Sequence, residues 1–349
     1  MALNPFTLAV GDSTLSGPEG QVIDFEEWTL TNNLDEGCDI QFTARGNSTT
    51  ALLIDELVTD VWLYRGSALY QRFRIISVEQ EWGPDGSDDI RITGACYRRL
   101  LRKAHVRSLQ TYTGISQGDI VWNLIQHAQA ANGGNLGITL GSSGPAINRD
   151  REYIVGQNIY DAITELTKID NGISWDINEN LELLVSDQFT FPIRATPIEL
   201  GSTARRLLRP SSAERFANAA IVTGNIQATV PEIVETTGIS TDPRGRWEKY
   251  LSLGQIDQQT ALQDAADGLI DESISPITTW QVEMEPTRYF YDAEYEIGDF
   301  VNLVVPRSTV FSIGQPGVLV TVQIISRTIT QTASGDVTVN LTAIEIPGS

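Results

Sequence analysis

Apolar and polar residues alternate with a period of two along much of the chain, most clearly toward its two ends. Residues 90–93, 280–284 and 336–344 carry apolar side chains at every second position, with Arg, Thr, Gln, Glu or Asn between them. Such alternation is typical of a strand with one buried face and one wet face. The pattern therefore predicts β-sheets near the beginning and the end of the chain.

Short turn sequences separate several of these strands. Residues 83–89, with the sequence GPDGSDD, join two strand-like runs through Pro-Asp-Gly, and residues 333–336, with the sequence ASGD, join the last two. Short connections between neighbouring strands imply antiparallel pairing. We therefore predict antiparallel barrels or sandwiches at both ends of the chain.

The middle of the chain follows the period of a helix instead. Ser116 begins a predicted helix, and Asp119 three residues later gives a capping-box pattern. The helix then carries one apolar stripe, formed by Ile120, Val121, Leu124, Ile125 and Ala128. The stripe predicts an amphipathic helix with a single buried face.

A second helix and a pair of strands follow. The pattern predicts a helix from about residue 158 to 170, ended by Asn171-Gly172, a pair suited to a left-handed C-terminal cap. Residues 173–177 and 181–185 then resemble strands on either side of a short Asn-Glu-Asn turn. This order predicts a small α+β module of roughly 80 residues.

The fold class predicted by these patterns is mainly β with an α+β insertion, in which two antiparallel β-barrel domains flank a small α/β module. A chain of 349 residues exceeds what one hydrophobic core usually serves. We place the first barrel at residues 1–107, the module at 108–190 and the second barrel at 191–349. Linkers are expected near residues 108–118 and 190–202.

The second barrel domain also contains one predicted helix, near residues 258–270. Asp257 is suited to cap its N-terminus. Its expected buried face consists of Leu262, Ala265, Ala266 and Leu269. Strand-like alternation resumes after this helix, at residues 280–284.

The net charge of −21 is the strongest fact of the composition. Phosphate contacts to nucleic acid need clustered Lys and Arg, so the charge argues against nucleic-acid binding of that kind. Two interpretations stay open: solubility alone, or an acidic wall past which a polyanion slides without sticking. The chain has no apolar run of roughly 20 residues, and its N-terminus lacks the pattern of a signal peptide. No membrane insertion is expected.

Two cysteines, Cys38 and Cys96, lie in strand-like stretches. We expect them to be small buried residues. A disulfide is compatible with the sequence, although nothing in it requires one. Two cysteines give no metal-ligand pattern.

The sequence offers no arrangement of residues that indicates catalysis. His105 and His127 have no accompanying nucleophile motif such as G-x-S-x-G. Neither a phosphate-binding loop nor G-x-G-x-x-G is present, and the Gly-rich residues 133–144 are expected to form a surface loop. Asp161 and Glu165, one helical turn apart, are expected on a solvated face. We therefore predict no catalytic, cofactor-binding or metal-binding residue, no cofactor, and no enzyme activity.

One basic cluster stands out in this acidic chain. It consists of Arg98, Arg99, Arg102, Lys103 and Arg107. On a helix, residues three or four apart share a face. Three interpretations stay open: the cations pair with carboxylates of the same chain, they form a docking face for an acidic neighbouring subunit, or they bind phosphate.

A Gly-Asp pair precedes the apolar run at residues 300–305 and predicts a sharp turn. Gly298 has no Cβ to clash, and the Asp299 side chain is able to hydrogen-bond within its own turn. No His, Cys or Lys lies near the turn in sequence. We therefore expect a structural role for Gly298 and Asp299.

Four stretches, in this order, resemble one protein family. They are YQRFRIISVEQEWGPDGSDDIRITGACYRRLLRKAHV (70–106), IYDAITELTKIDNGISWDINENLELLV (159–185), RRLLRPSSAERFANAAIVTGN (205–225) and YDAEYEIGDFVNLVV (291–305). They resemble, respectively, the end of the first barrel, the inserted module, the entry to the second barrel, and its recurrent Gly-Asp turn. The family is the tail-tip or baseplate hub of tailed phages, related to the hub part of type VI secretion spike proteins.

The resemblance implies a structural subunit of a virion, located at the tail tip and assembled in the host cytoplasm. It implies a homotrimer whose two similar barrels per subunit form a pseudo-sixfold ring. The implied partners are further copies of the chain, the distal tail protein or tail tube, the tape measure protein, and a tip fibre or spike protein. DNA would pass through the lumen without specific binding, and this would give the acidic balance a meaning.

Other functions compete with this expectation. A distal tail protein or a receptor-binding module would share many of these features. A tail-associated cell-wall hydrolase is a further alternative, against which the missing catalytic motif argues. Oligomeric state separates a distal tail protein from the hub, because a hexamer favours the former and a trimer favours the latter.

Overall fold

A computed structural model gives the fold of the chain. It describes residues 6–15, 17–22, 25–34, 36–48, 51–84, 87–144, 146–167, 172–187, 193–212, 216–224, 229–236, 239–241, 243–253, 259–271, 273, 277–292, 294–305 and 318–345. The described part is mainly β, as predicted, with large antiparallel sheets.

The strands of the N-terminal half are β1 (Phe6–Asp12), β2 (Gly20–Val22), β3 (Phe25–Asn33), β4 (Gly37–Arg45), β5 (Thr59–Arg65), β6 (Ala68–Trp82), β7 (Asp88–Cys96), β8 (Gln110–Ser116), β9 (Thr139–Ser143), β10 (Asn148–Tyr153), β11 (Ile173–Ile177) and β12 (Glu182–Asp187). Those of the C-terminal half are β13 (Ile193–Glu199), β14 (Ala204–Leu208), β15 (Ser211–Ser212), β16 (Ala219–Thr223), β17 (Glu232–Glu235), β18 (Glu248–Ser252), β19 (Ile277–Met284), β20 (Phe300–Val305), β21 (Val318–Thr332) and β22 (Val337–Glu345).

Helices are fewer. The α-helices are α1 (Tyr97–Leu100), α2 (Gln117–Gln129), α3 (Ile159–Thr167), α4 (Gln259–Asp271) and α5 (Pro286–Asp292), and short 3-10 helices cover Ala51–Leu53, Leu101–Lys103 and Ile239–Thr241. The chain divides into two compact units. The first contains Met1–Arg206 and Val282–Thr342, and the second contains Leu207–Gln281 and Ala343–Ser349.

A long sheet dominates the first unit. Its strands follow the order β22-β21-β3-β4-β7-β6-β5-β1-β2, and β20 and β13 branch from β21. The pairing of β21 with β3, from Ser326 opposite Asn33 to Thr332 opposite Glu27, joins the end of the chain to its beginning. Over the described residues this path does not close on itself. Closure into two barrels therefore stays a prediction.

The strands and hairpins predicted from alternation are confirmed. Residues 90–93 lie in β7, 280–284 in β19 and 336–344 largely in β22. In β7, Ile90 and Ile92 are buried, as the alternation requires. The turn at residues 83–89 joins β6 to β7, with Trp82 opposite Asp88; Asp85 and Gly86 within it lie outside the described residues.

The two helices predicted for the middle of the chain are also confirmed, and the bounds of the module stay a prediction. The Ser116 hydroxyl caps α2 by accepting the Asp119 backbone N–H at 3.1 Å. All five residues of the predicted stripe of α2 are buried, in a core shared with α3 and the strands β11 and β12. The helix α3 begins at Ile159, and the predicted end at Asp170 and the cap residue Asn171 lie outside the described residues.

Two sequence-based expectations about irregular structure were wrong. The Gly-rich residues 133–144 contain strand β9, which pairs in parallel with β12. The stretches expected as linkers contain β8, which pairs with β10, and β13, which pairs with β20. Pro197 obscured β13 in the sequence, and the register of β13 shifts between Arg194 and Ile198, where a strand tolerates a proline.

The second unit contains a small sheet covered by one helix. Its strands follow the order β17-β16-β18. On one face, Leu262 and Ala266 of α4 pack against Val222 of β16, and all three side chains are buried. The helix lies where the sequence predicted it, although its predicted cap Asp257 and first residue Gln258 lie outside the described residues.

Candidate functional site

The turn before β20 depends on a left-handed glycine. Gly298 has a φ of 95°, a conformation that side chains with a Cβ rarely adopt. Its backbone N–H donates to the Ile324 carbonyl of β21 at 2.8 Å. Gly298 therefore lets the chain reverse while it stays bonded to the neighbouring strand.

The Asp299 carboxylate holds this turn from inside. Its side chain is buried, and Oδ2 accepts the Glu296 backbone N–H at 2.6 Å and Arg194 Nε–H at 2.5 Å. The Asp299 backbone carbonyl accepts the N–H of Ile324 at 3.0 Å. Because Arg194 lies in β13, one carboxylate links the turn, β13 and β20, and these contacts are structural.

The basic cluster divides into half-buried and exposed members. Arg98 stacks over the Trp175 ring at 4.8 Å, and Arg102 stacks over the Tyr160 ring at 4.6 Å. Arg99 forms an ion pair with Asp39. Three cations of the cluster are thus engaged within the chain, two of them on aromatic faces rather than on carboxylates.

Lys103 and Arg107 are exposed. Arg107 contacts the end of α2, where its guanidinium donates to the His127 carbonyl and its backbone N–H donates to His127 Nε2 at 2.9 Å. Partial burial, followed by the charge of Arg107, lowers the pKa of His127. His127 therefore acts as a neutral acceptor that fixes the local backbone.

Three apolar side chains are exposed in the segments that adjoin Arg107. Leu109, Ile154 and Val155 are 56%, 62% and 63% exposed. We call the surface formed by Lys103, Arg107, Leu109, Ile154 and Val155 the basic-apolar surface.

Two strands hold the basic-apolar surface in place. Gln110 of β8 lies opposite Tyr153 of β10, so the residues just beyond this pair are adjacent at the end of the ribbon. The backbone of Val106 is bonded to Gln157 at 2.9 Å and to Gly156 at 2.8 Å. The surface is therefore presented by backbone that is hydrogen-bonded on both sides.

The first unit contains a buried ionic cluster that was not predicted from the sequence. The Asp60 side chain is fully buried and accepts three hydrogen bonds at 2.6 Å, from Arg72 Nε, Arg74 Nε and the Tyr97 hydroxyl. We call these four residues the Asp60 cluster. Burial first, and then the charge of Asp60, raise the pKa of the Tyr97 phenol.

The Nη atoms of Arg72 and Arg74 also have hydrogen-bond acceptors. Arg72 Nη2 donates to the Ser13 carbonyl at 2.9 Å, and Arg74 Nη1 donates to the Leu57 carbonyl at 2.9 Å. The Asp60 cluster is therefore closed by protein groups. It holds together β5, β6 and the start of α1, and it presents no free acid or base.

Within the described ranges, no group of three or more His, Cys, Asp or Glu side chains is arranged to hold a metal ion. Among the described helices, none is both long and apolar enough to cross a lipid bilayer.

Comparison with known proteins gives matches by fold rather than by sequence. No protein-family model matches the chain. No curated protein sequence matches it.

Several solved structures match almost end to end. A tail protein from Neisseria meningitidis MC58 is 11% identical, with a TM-score of 0.64, over 99% of this chain and 97% of that one. The 43 kDa tail protein of prophage MuSo2 from Shewanella oneidensis is 10% identical, with a TM-score of 0.65, over 97% of each chain.

A third match comes from a secretion system. It is an Escherichia coli component of the type VI secretion system, which itself exhibits structural similarity to tail proteins of bacteriophage T4. It is 12% identical to this chain, with a TM-score of 0.53, over 97% of this chain and 77% of that one. The predicted resemblance to phage tail proteins is therefore confirmed in the fold, and the chain has the fold shared by phage tail proteins and this type VI secretion component.

Proposed function

We propose that this chain is the structural hub subunit of a phage-type tail. The observation that carries the proposal is the match over 97–99% of this chain and 97% of two tail proteins. A match of that extent covers nearly the whole chain, and it supports a structural role like that of those tail proteins. The Gly298 turn and the Asp60 cluster, which fix strands and expose no reactive group, are consistent with a structural role.

In the proposed assembly, three copies form a ring at the tail tip of the virion. Each copy contributes two similar β-barrels, so the ring has pseudo-sixfold symmetry and joins the sixfold tail tube or distal tail protein to a threefold fibre or spike. DNA and the tape measure protein pass through the lumen. The net charge of −21 supports a lumen wall that repels DNA.

The basic-apolar surface is the proposed contact with the neighbouring copy. A ring needs a heterologous interface, in which one surface of a subunit meets a different surface of the next. Because the chain has a net charge of −21, most of the surface that a second copy presents is acidic. Lys103 and Arg107 therefore suit a second copy of this chain electrostatically, while Leu109, Ile154 and Val155 supply area to bury.

The mass of the purified chain in solution tests the proposal. Native mass spectrometry over a series of protein concentrations should show a trimer that grows with concentration, because association follows mass action. A hexamer would favour a distal tail protein instead. A clearing band in a peptidoglycan zymogram would favour a cell-wall hydrolase, and a monomer at every concentration would contradict the ring.

Two exposed substitutions test the contact itself. Lys103→Glu and Ile154→Asp should each weaken the trimer at least tenfold. Lys103→Glu reverses a charge at the proposed interface, and Ile154→Asp buries a new charge there. Val230→Asp, at an exposed site in the second unit, is the matched control. Trimers of unchanged stability in both variants would place the interface elsewhere and leave the hub proposal standing.

A further inference from the structure

The two cysteines face each other across neighbouring strands. In the pairing of β4 with β7, Asp39 lies opposite Ala95, so the next pair in that register is Cys38 opposite Cys96. Opposed residues in antiparallel strands have Cα atoms about 4.5–5.5 Å apart. That separation lies within the range of about 4.4–6.8 Å that disulfides span.

The two thiol groups are also in contact. The Cys38 backbone N–H donates to Cys96 Sγ at 3.0 Å, and the Cys38 thiol hydrogen-bonds the same sulfur. Both residues are free cysteines, exposed by only 6% and 2%. The strand register and the sulfur contacts therefore agree that the side chains point toward each other.

The contacts make the two sulfurs chemically unequal. The hydrogen bond from the Cys38 thiol, supported by the backbone N–H groups of Cys38 and Arg99, lowers the pKa of Cys96. The same thiol contact, followed by burial, raises the pKa of Cys38. Cys96 is therefore the better nucleophile of the pair, because the thiolate is the reactive form.

We propose that Cys38 and Cys96 are a modification site, at which a low-molecular-weight disulfide such as oxidised glutathione converts the two thiols into an intramolecular disulfide. Because Cys96 is buried, the reaction requires the paired ends of β4 and β7 to open locally. The exposed Cys96 thiolate then attacks one sulfur of the small disulfide, forming a mixed disulfide and releasing one glutathione thiolate. Cys38 then loses its proton and attacks Cys96 Sγ, releasing the second glutathione. Two protein thiols are oxidised, and one glutathione disulfide is reduced to two thiols.

The crosslink would join residues 58 positions apart in the chain. It would fasten the start of β4 to the last residue of β7, directly before Tyr97 of the Asp60 cluster. A crosslink of this span stabilises a protein chiefly by restricting the unfolded chain. A reducing cytoplasm would keep the thiols free, and an oxidising medium outside the cell would supply the small disulfide.

The test uses the full chain in buffers of increasing oxidised-to-reduced glutathione ratio, followed by denaturation, alkylation and mass spectrometry. We expect a loss of about 2 Da per chain and a linked pair of peptides that contain Cys38 and Cys96. The midpoint of thermal unfolding should rise by roughly 5–10 °C, and dithiothreitol should reverse the rise. The variants Cys38→Ser and Cys96→Ser should show neither change.

Three results would overturn the proposal, and the unmodified chain alone suffices to detect each. The first is complete alkylation of both thiols at the most oxidising ratio. The second is a stable glutathione adduct on one cysteine, and the third is a disulfide between chains. None of these results depends on whether the chain forms a ring, so the test is independent of the proposed hub function.

Discussion

Each of the two units contains a cluster of carboxylate and guanidinium groups. The cluster is buried in the first unit and exposed in the second. In the first unit, Asp60 joins two arginines in a fully buried site, where the Arg72 and Arg74 side chains are only 11% and 14% exposed. In the second unit, Arg246 joins two glutamates, and Arg246, Glu235 and Glu248 are all more than 40% exposed.

The two clusters differ in how much folding stability is lost when one partner of an ion pair is removed. Exposed ion pairs are hydrated when broken, so their net contribution to stability is small. A buried charge cannot be hydrated, and removing its partner leaves a severe penalty. Burial, rather than the number of ion pairs, therefore decides which of these residues the fold depends on.

The largest expected effect is at Asp60. Asp60→Asn keeps the shape of the side chain but removes the carboxylate that Arg72 and Arg74 share. We expect a loss of about 3–5 kcal/mol in the free energy of unfolding, because two cations lose the buried counter-charge that lies between them. Urea unfolding measures the loss, and hydrogen exchange of peptides from β5 and β6 locates it.

Glu248→Gln in the second unit is the matched control. It makes the same change from carboxylate to amide, at a site that is 45% exposed. The unfolding free energy should stay within experimental error of the original. Equal losses in the two variants would show that burial has no influence on what a carboxylate contributes to stability.

A buried phenol is expected to make the stability of the fold depend on pH in the alkaline range. Burial raises the pKa of Tyr289 to about 12, from an ordinary value of about 10. The neutral phenol is thus favoured in the folded state, so its contribution is fully present below pH 10 and is lost as pH rises toward 12. A shift of this size corresponds to about 2–3 kcal/mol.

Tyr289→Phe tests this contribution. Urea unfolding at pH 9, 10 and 11 should show a shallower decline of stability in the variant than in the original chain. The decline should not disappear, because burial raises the pKa of Tyr70, Tyr97, Tyr153 and Tyr295 as well. Identical slopes would show that Tyr289 titrates equally in the folded and unfolded states.

Features that depend on a local repeat could be predicted from the sequence, whereas the buried ionic contacts could not. The stripe of α2 and the alternation of β7 were predictable because each is written in a local repeat. Asp60 was not, because its partners lie 12, 14 and 37 residues away and are brought together only by the sheet. A buried Asp cannot be distinguished from a solvated Asp in the sequence, because the residues adjacent to each in the chain are often similar.

The candidate site was predictable in the same uneven way. The Gly298 turn was marked by its own residues, since Gly-Asp has few structural alternatives before an apolar run. The basic cluster was visible as a set, but its division was not, because Trp175 and Tyr160 reach Arg98 and Arg102 from another part of the chain. The exposed Ile154 and Val155 carry no signal, since apolar residues usually predict burial.

The smallest effect gives the cleanest comparison, because one substitution fits both units. Tyr97 donates its hydroxyl to Asp60 at 2.6 Å in a buried site, and Tyr250 shares a hydrogen bond of 2.9 Å with Thr223 while 66% exposed. Tyr97→Phe should cost about 1–3 kcal/mol, because a buried carboxylate loses a donor that water cannot replace.

Tyr250→Phe should leave the unfolding free energy unchanged within error, since water replaces the lost hydroxyl contact of Thr223. Both variants remove one oxygen and keep the ring, so differences in packing are minimised. Urea titrations of the two variants side by side measure the contrast. If Tyr97→Phe were as harmless as Tyr250→Phe, a water molecule would have to reach Asp60, and the Asp60 cluster would be open to solvent rather than closed.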